Sequence, residues 1–114
     1  MRTMLASLGV LAVLIAVPLA AFADAWTTTG LITDYQDGGN GAEIIIAGST
    51  NGEGATCANG SSYVVPFSTL TDAQRARYSQ ALLAAHLAGR PVRVRVSSTC
   101  SAGGYRQYYA VRID

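Results

Sequence analysis

One segment of the chain reads as a helix from every side, and it divides the remainder. Thr71 is a good N-terminal cap, Asp72 follows beside the positive end of the helix dipole, and Gln74 completes a Thr-x-x-Gln capping box. Residues 73–88 are dense in Ala, Leu, Gln and Arg, which lose little freedom in a helix. Gly89 supplies the left-handed residue that ends helices, and Pro91 forbids continuation. Tyr78, Leu82 and Ala85 recur at i, i+4 and i+7 as an apolar stripe, which Leu83 and Leu87 are expected to widen. Ala81, Ala84, Ala85 and Ala88 make a small-residue face suited to close packing.

The flanking segments have strand character. Residues 26–35 are rich in Thr, aromatic and β-branched types, and Asp37-Gly38-Gly39-Asn40-Gly41 is a turn cluster. Residues 43–47 follow as the second arm of a hairpin, with Ile44, Ile45 and Ile46 expected to be buried on both sides. Residues 48–61 form a long Gly-rich loop carrying Cys57, a length that needs a function or a pin. Residues 62–67 read as a third strand, with Pro66 at its end or on an edge because it lacks an N–H. After the helix, Val92, Val94 and Val96 alternate with Arg93, Arg95 and Ser97, the pattern of a half-buried strand. Residues 99–104 form a short turn carrying Cys100. A last strand, residues 105–113, is expected to place Arg106, Tyr108, Ala110 and Arg112 outward.

The predicted order is therefore β-β-β-α-β-β, mainly β with one helix. That is the order of the OB-fold, a five-stranded Greek-key barrel. An α+β sandwich with an open five-stranded sheet is the alternative that the same order allows.

Residues 1–23 have the parts of a secretory signal peptide: Arg2, an uncharged apolar run over residues 5–17, and the small-x-small triplet Ala21-Phe22-Ala23 before Asp24. The expectation is export through a Sec-type signal to the periplasm or beyond. The working domain is then residues 24–114, with no membrane association after cleavage. Of 8 basic and 7 acidic residues, one basic residue, Arg2, lies in the leader, so the domain carries seven of each. Formal neutrality argues against a nucleic-acid partner, which selects a clear positive excess. A domain this small has a modest core and benefits from a staple. Cys57 and Cys100 are the only cysteines, and in an oxidising compartment they are expected to pair, with two free thiols or an intermolecular bridge as the alternatives.

No catalytic constellation is present. His86 is the single histidine and reads as a helix residue. No Gly-x-Ser-x-Gly elbow, phosphate loop or dinucleotide glycine pattern occurs, and one histidine with two paired cysteines makes no zinc site. The expectation is a non-enzyme without metal or cofactor. Asp34, Asp37, Glu43 and Glu53 read first as turn chemistry and solubility. Asn59-Gly60-Ser61 fits a glycosylation acceptor, with meaning only in a glycosylating host.

Two binding surfaces are candidates. The outward faces of the last two strands offer Arg93, Arg95, Arg106, Tyr108 and Arg112, a set able to hold an anionic ring-shaped ligand, with a solvated face or a subunit contact as the alternatives. The hairpin turn and the turn between the last two strands bring Tyr35, Gln36, Asp37 and Asn40 with Ser101 and Tyr105, in the place where OB-folds bind oligosaccharides or oligonucleotides. The ligand is thus a glycan or a protein.

The stretch Leu82-Leu83-Ala84-Ala85-His86-Leu87-Ala88-Gly89-Arg90-Pro91-Val92-Arg93-Val94-Arg95-Val96, closed by Cys100, resembles the helix-to-strand segment of the subtilase cytotoxin B-subunit-like proteins. Trp26 near the expected mature start, and Cys57 just before the third strand, fit the same family. The resemblance implies an OB-fold, secretion, a disulfide and, as in the toxin members, a homo-oligomer (a ring of five) that binds sialylated glycans. It carries over no glycan-contacting residue.

Overall fold

The computed structural model describes residues 24–38, 41–59 and 63–114, so the expected signal peptide and Asn40 lie outside the described residues. Six strands and one helix follow in the order β1 (Ala25–Trp26), β2 (Ile32–Gly38), β3 (Gly41–Ile46), β4 (Tyr63–Pro66), α1 (Asp72–Ala88), β5 (Val92–Cys100) and β6 (Arg106–Ile113). The protein is mainly β with one helix, and the strands form one sheet in the order β1-β5-β6-β4-β3-β2. All neighbours are antiparallel except β4 and β6, which run parallel.

The sixth strand corrects the expectation of five, and the reason lies at Gly30. The stretch expected as one strand divides there. Ala25 and Trp26 pair with Val96 and Arg95 of β5, Gly30 bridges Val92, and from Ile32 onward the chain pairs with β3 instead. A Cβ at Gly30 would lie 2.1 Å from the Ala47 carbonyl oxygen, so only glycine lets the backbone pass between the two partners. The two ends of the sheet are consequently borne by one continuous stretch of chain.

The core is the inner face of this sheet with the helix laid across it. Ala42, Ile44 and Ile46 of β3, Val64 of β4, and Val92, Val94 and Val96 of β5 are buried, with Leu82 and Ala85 of the helix. The alternation of β3 sends Ile45 to the opposite face, where it is half-buried, so two of the three isoleucines enter the core. Pro66 ends β4, where its missing N–H costs no ladder bond.

The helix keeps its predicted caps. Thr71 Oγ1 accepts the Gln74 N–H, Gln74 Oε1 accepts the Thr71 N–H, and Gly89 adopts the left-handed conformation with φ 66°. Its buried stripe is narrower than expected. The Tyr78–Leu82–Ala85 line and Ser79 pack on the sheet, whereas Leu83 and Leu87 are 39% and 77% exposed, and Ala84 and Ala88 also face water. Each step of about 100° around a helix carries a neighbour off a contact line that is only one stripe wide.

The last strand overturns the expected facing. Arg95 pairs with Ala110, but Val96 pairs with Tyr108, leaving Tyr109 as an extra residue in a β-bulge. Side chains alternate with a period of two, so one inserted residue reverses the phase on its far side. Arg112 and Ala110 stay outward beside Arg93 and Arg95. Tyr108 and Arg106, expected outward, turn into the core and are fully buried. The Tyr108 hydroxyl donates to the Ala42 carbonyl at 3.0 Å, and its ring packs edge-on against Tyr78.

Arg106 is the fully buried cation of this arrangement. Its guanidinium donates to the Thr50 carbonyl at 2.5 Å and to Ser49 Oγ at 2.8 Å, and lies 3.5 Å from Glu53. Glu53 in turn accepts the Thr28 N–H and the Ser49 hydroxyl. Burial lowers the Arg106 pKa, against which Glu53 acts. The 48–59 loop is thereby wrapped around a charge, and the Cys57–Cys100 disulfide pins its far end, Cα to Cα 5.7 Å. Gly54 permits the wrap: a Cβ there would meet Val96 Cγ2 at 2.5 Å.

Arg106→Ala removes the cation and leaves Glu53 and two loop acceptors under-satisfied, which costs about 3 kcal/mol when one partner of a buried pair is deleted. Urea unfolding at neutral pH checks this; a loss under about 1 kcal/mol would show that the loop does not depend on the charge.

Candidate functional site

The period of two along β2 divides residues that are neighbours in sequence. Asp34 pairs with Ile45, Gln36 with Glu43 and Gly38 with Gly41, and these point to the outer face of the sheet. Tyr35 pairs with Ile44 and Asp37 with Ala42, so both point toward the helix. The expected cluster of Tyr35, Gln36 and Asp37 with Ser101 and Tyr105 is therefore split in two, and this is a correction to the single loop-pair site.

On the outer face, Tyr63 of β4 lies opposite Ile45 and extends the row begun by Asp34. Its ring centroid is 5.6 Å from that of Tyr105, with the planes inclined at 55°. The Tyr63 hydroxyl faces the Asp34 carboxylate at 3.5 Å. The negative charge of Asp34 raises the Tyr63 pKa, followed by partial burial and by Glu43 and Tyr105. Two tyrosines and two carboxylates thus share one surface, with the Gln36 amide beside them. Among the described residues no arginine pairs with Asp34 or Glu43.

This surface is held from behind. The Tyr105 N–H donates to Ser101 Oγ at 3.0 Å, and the Ser101 N–H donates to the Tyr105 carbonyl at 2.8 Å, so Ser101 builds the turn instead of facing a ligand. Asn59 ties the 48–59 loop to that turn through Nδ2 to the Gly103 carbonyl at 2.8 Å and through its N–H to the Gly104 carbonyl at 2.9 Å. The Tyr105 ring lies over Gly103, where a Cβ would come within 3.2 Å of it.

On the helix side, an open cleft of about 420 Å³ lies between the hairpin and α1, lined by Tyr35, Asp37, Gly38, Arg75, Ser79 and Leu83 among others. The Tyr35 hydroxyl is 3.2 Å from Asp37 Oδ2 and 3.2 Å from the Ser79 carbonyl oxygen. Burial raises the Tyr35 pKa, and Asp37 adds to the rise. The Tyr35 ring stacks on His86 at 6.1 Å, while His86 Nδ1 lies 3.1 Å from the Ile32 carbonyl oxygen. His86 thus braces the base of the hairpin against the helix.

The arginine face is self-contained. Arg93 and Arg112 stand opposite each other, and Asp114 sits against both, at 3.4 and 3.1 Å. Arg95 Nε donates to the Tyr109 hydroxyl at 2.8 Å, and that hydroxyl donates to Asp24 at 2.6 Å. Tyr108, expected to complete this set, is buried, and the bulged Tyr109 takes its place. Partial desolvation pushes the Asp114 carboxyl up, but Thr29, Arg93 and Arg112 outweigh it and hold it below its ordinary value. Tyr109 likewise lowers Asp24, with the Ser98 N–H and Arg95 adding to that effect against desolvation. These guanidinium groups are thus engaged within the chain, although Arg93 Nε, buried, makes no hydrogen bond among the described residues.

Sequence reasoning missed Tyr63 and took Asp34 and Glu43 for solubility. For the two carboxylates the signal was available, because alternation along β2 and β3 puts residues 34, 36, 43 and 45 on one face. Among the described residues no group of three or more His, Cys, Asp or Glu side chains could hold a metal ion, and no helix is long and apolar enough to cross a membrane. Comparison with known protein families, curated proteins and solved structures finds no match.

A carboxyl depressed in the folded state stabilises above its ordinary value of 3.8 and loses that contribution as pH falls through the folded value. Asp24→Asn is accordingly expected to lower stability at pH about 7 and to flatten its decline below pH about 4. Urea midpoints at neutral and acid pH check this; an unchanged acid dependence would contradict it.

Proposed function

We propose that this chain is an exported, non-enzymatic binding module of OB type whose ligand is a glycan held on the outer face of β2, β3 and β4. The order β2-β3-β4-β6-β5, with β1 returning to β5, fits the Greek-key barrel of an OB-fold, including its one parallel pair. The corresponding face of OB-folds takes oligosaccharides or oligonucleotides. Unpaired Asp34 and Glu43 repel phosphates, which leaves the sugar. The Cys57–Cys100 bridge is consistent with an oxidising compartment, in keeping with the leader-like residues 1–23.

The observation that carries this reading is the inclined Tyr63–Tyr105 pair beside two unpaired carboxylates and an amide. Aromatic rings offer a flat apolar platform with a polar tip, suited to the C–H face of a pyranose. Carboxylates and amides accept and donate to ring hydroxyls. The same charges disfavour sialylated ligands and favour neutral or amino sugars. A shallow face binds weakly, so a homo-oligomer such as the ring implied by the resemblance would supply the avidity. The arginine face gives a protein-binding alternative less support, because Asp114 and the Tyr109 hydroxyl already engage its guanidinium groups within the chain.

Glycan-array binding by the oxidised domain, residues 24–114, tests the reading. Neutral glycans are expected to bind, and Tyr63→Ala and Tyr105→Ala each to weaken binding at least about tenfold, or 1.4 kcal/mol. A flat array with a folded sample, or binding indifferent to both substitutions, would sink it.

A further inference from the structure

The cleft between the hairpin and α1 is independent of the glycan face, since Tyr35 and Asp37 point away from Asp34 and Gln36 on the same strand. We propose that it is a second ligand site, which takes a primary ammonium or guanidinium group at the end of an alkyl chain.

The first support is an imbalance of protons. The single Tyr35 hydroxyl proton lies between two acceptors, Asp37 Oδ2 and the Ser79 carbonyl oxygen, each 3.2 Å away. One proton cannot satisfy both at full strength. The Ser79 carbonyl also serves as an acceptor in the helical ladder, so the Asp37 carboxylate, which has only a share of the phenol proton, is the oxygen short of donors among the described residues. An ammonium group brings three donors and no acceptor, which matches what this carboxylate lacks. The three groups are fixed in place by the stacking of Tyr35 on His86 and by the helix backbone at Ser79.

The second support is the state of the cleft's cation. Arg75 donates to the Leu70 and Ser68 carbonyls at 2.9 and 3.3 Å and is ion-paired with Asp72. Its charge is therefore committed to fastening the first helical turn, and the remaining charge in the cleft is that of Asp37. An anion is disfavoured, and a cation is drawn in. The third support is the wall: Ala76 and the exposed Leu83 line the cleft and offer apolar surface to an alkyl stem, as a lysine or arginine stem requires.

The test is a heteronuclear NMR titration of the oxidised domain with cadaverine, with a short lysine-containing peptide and with pentanol as the neutral isostere. Both amines are expected to move the amides of Gly38, Ser79 and Gln80 to saturation, with pentanol at least tenfold weaker. Asp37→Asn is expected to weaken the amines at least tenfold without affecting glycan binding at Tyr63 and Tyr105. Tighter binding of the peptide would identify a basic side chain of a protein as the source, and equal binding a free amine. Pentanol binding as well as cadaverine, amines binding Asp37→Asn undiminished, or no saturable shift at these amides would overturn the proposal. Because the two sites report through different residues, failure here is distinguishable from failure of the glycan reading.

Discussion

The bulge at Tyr109 is the constraint on which most of the remaining structure depends. One unpaired residue in β6 reverses the facing of everything before it. Arg106 and Tyr108 enter the core, and the core then requires acceptors for a guanidinium. The 48–59 loop supplies them through Ser49, Thr50 and Glu53. A loop wrapped in this way can be stapled at Cys57 to Cys100 and tied through Asn59 to the turn that carries Tyr105. The position of a surface ring thus traces back through a disulfide and a buried charge to one inserted residue.

The arrangement also explains how the interior holds a charged side chain. A buried arginine is costly unless paired and hydrogen-bonded, and this one has both kinds of partner. Its Nε remains without one among the described residues, a residual cost at the same end of the sheet. On the opposite surface, the Asp114 carboxylate bridges the two facing arginines and so reduces the repulsion between Arg93 and Arg112 across β5 and β6.

Much of the fold was legible because it rests on local chemistry. Thr71, Gln74, Gly89 and Pro91 bound the helix, and strict Val alternation after Pro91 reads directly as a strand. The facing of β6 was not legible. A bulge is set by cross-strand pairing, and residues 105–113 alternate plausibly in either phase. Gly30 looked like any strand glycine, because its role is a close approach to Ala47, distant in sequence. The site was half legible. Tyr105 and Gln36 fall on the tyrosine-bearing face and Tyr35 and Asp37 in the cleft, but their separation follows from register, and Tyr63 becomes a candidate only once β4 is laid beside β3.

Two surfaces that share a strand and differ in chemistry invite one direct comparison. Following the tyrosine ring resonances of the oxidised domain during titration with neutral oligosaccharides distinguishes them at once. If the outer face is the ligand site, the Tyr63 and Tyr105 rings shift together and saturate while the core rings of Tyr78 and Tyr108 stay fixed. A shift confined to Tyr35, or no movement of any ring in a folded sample, would contradict it.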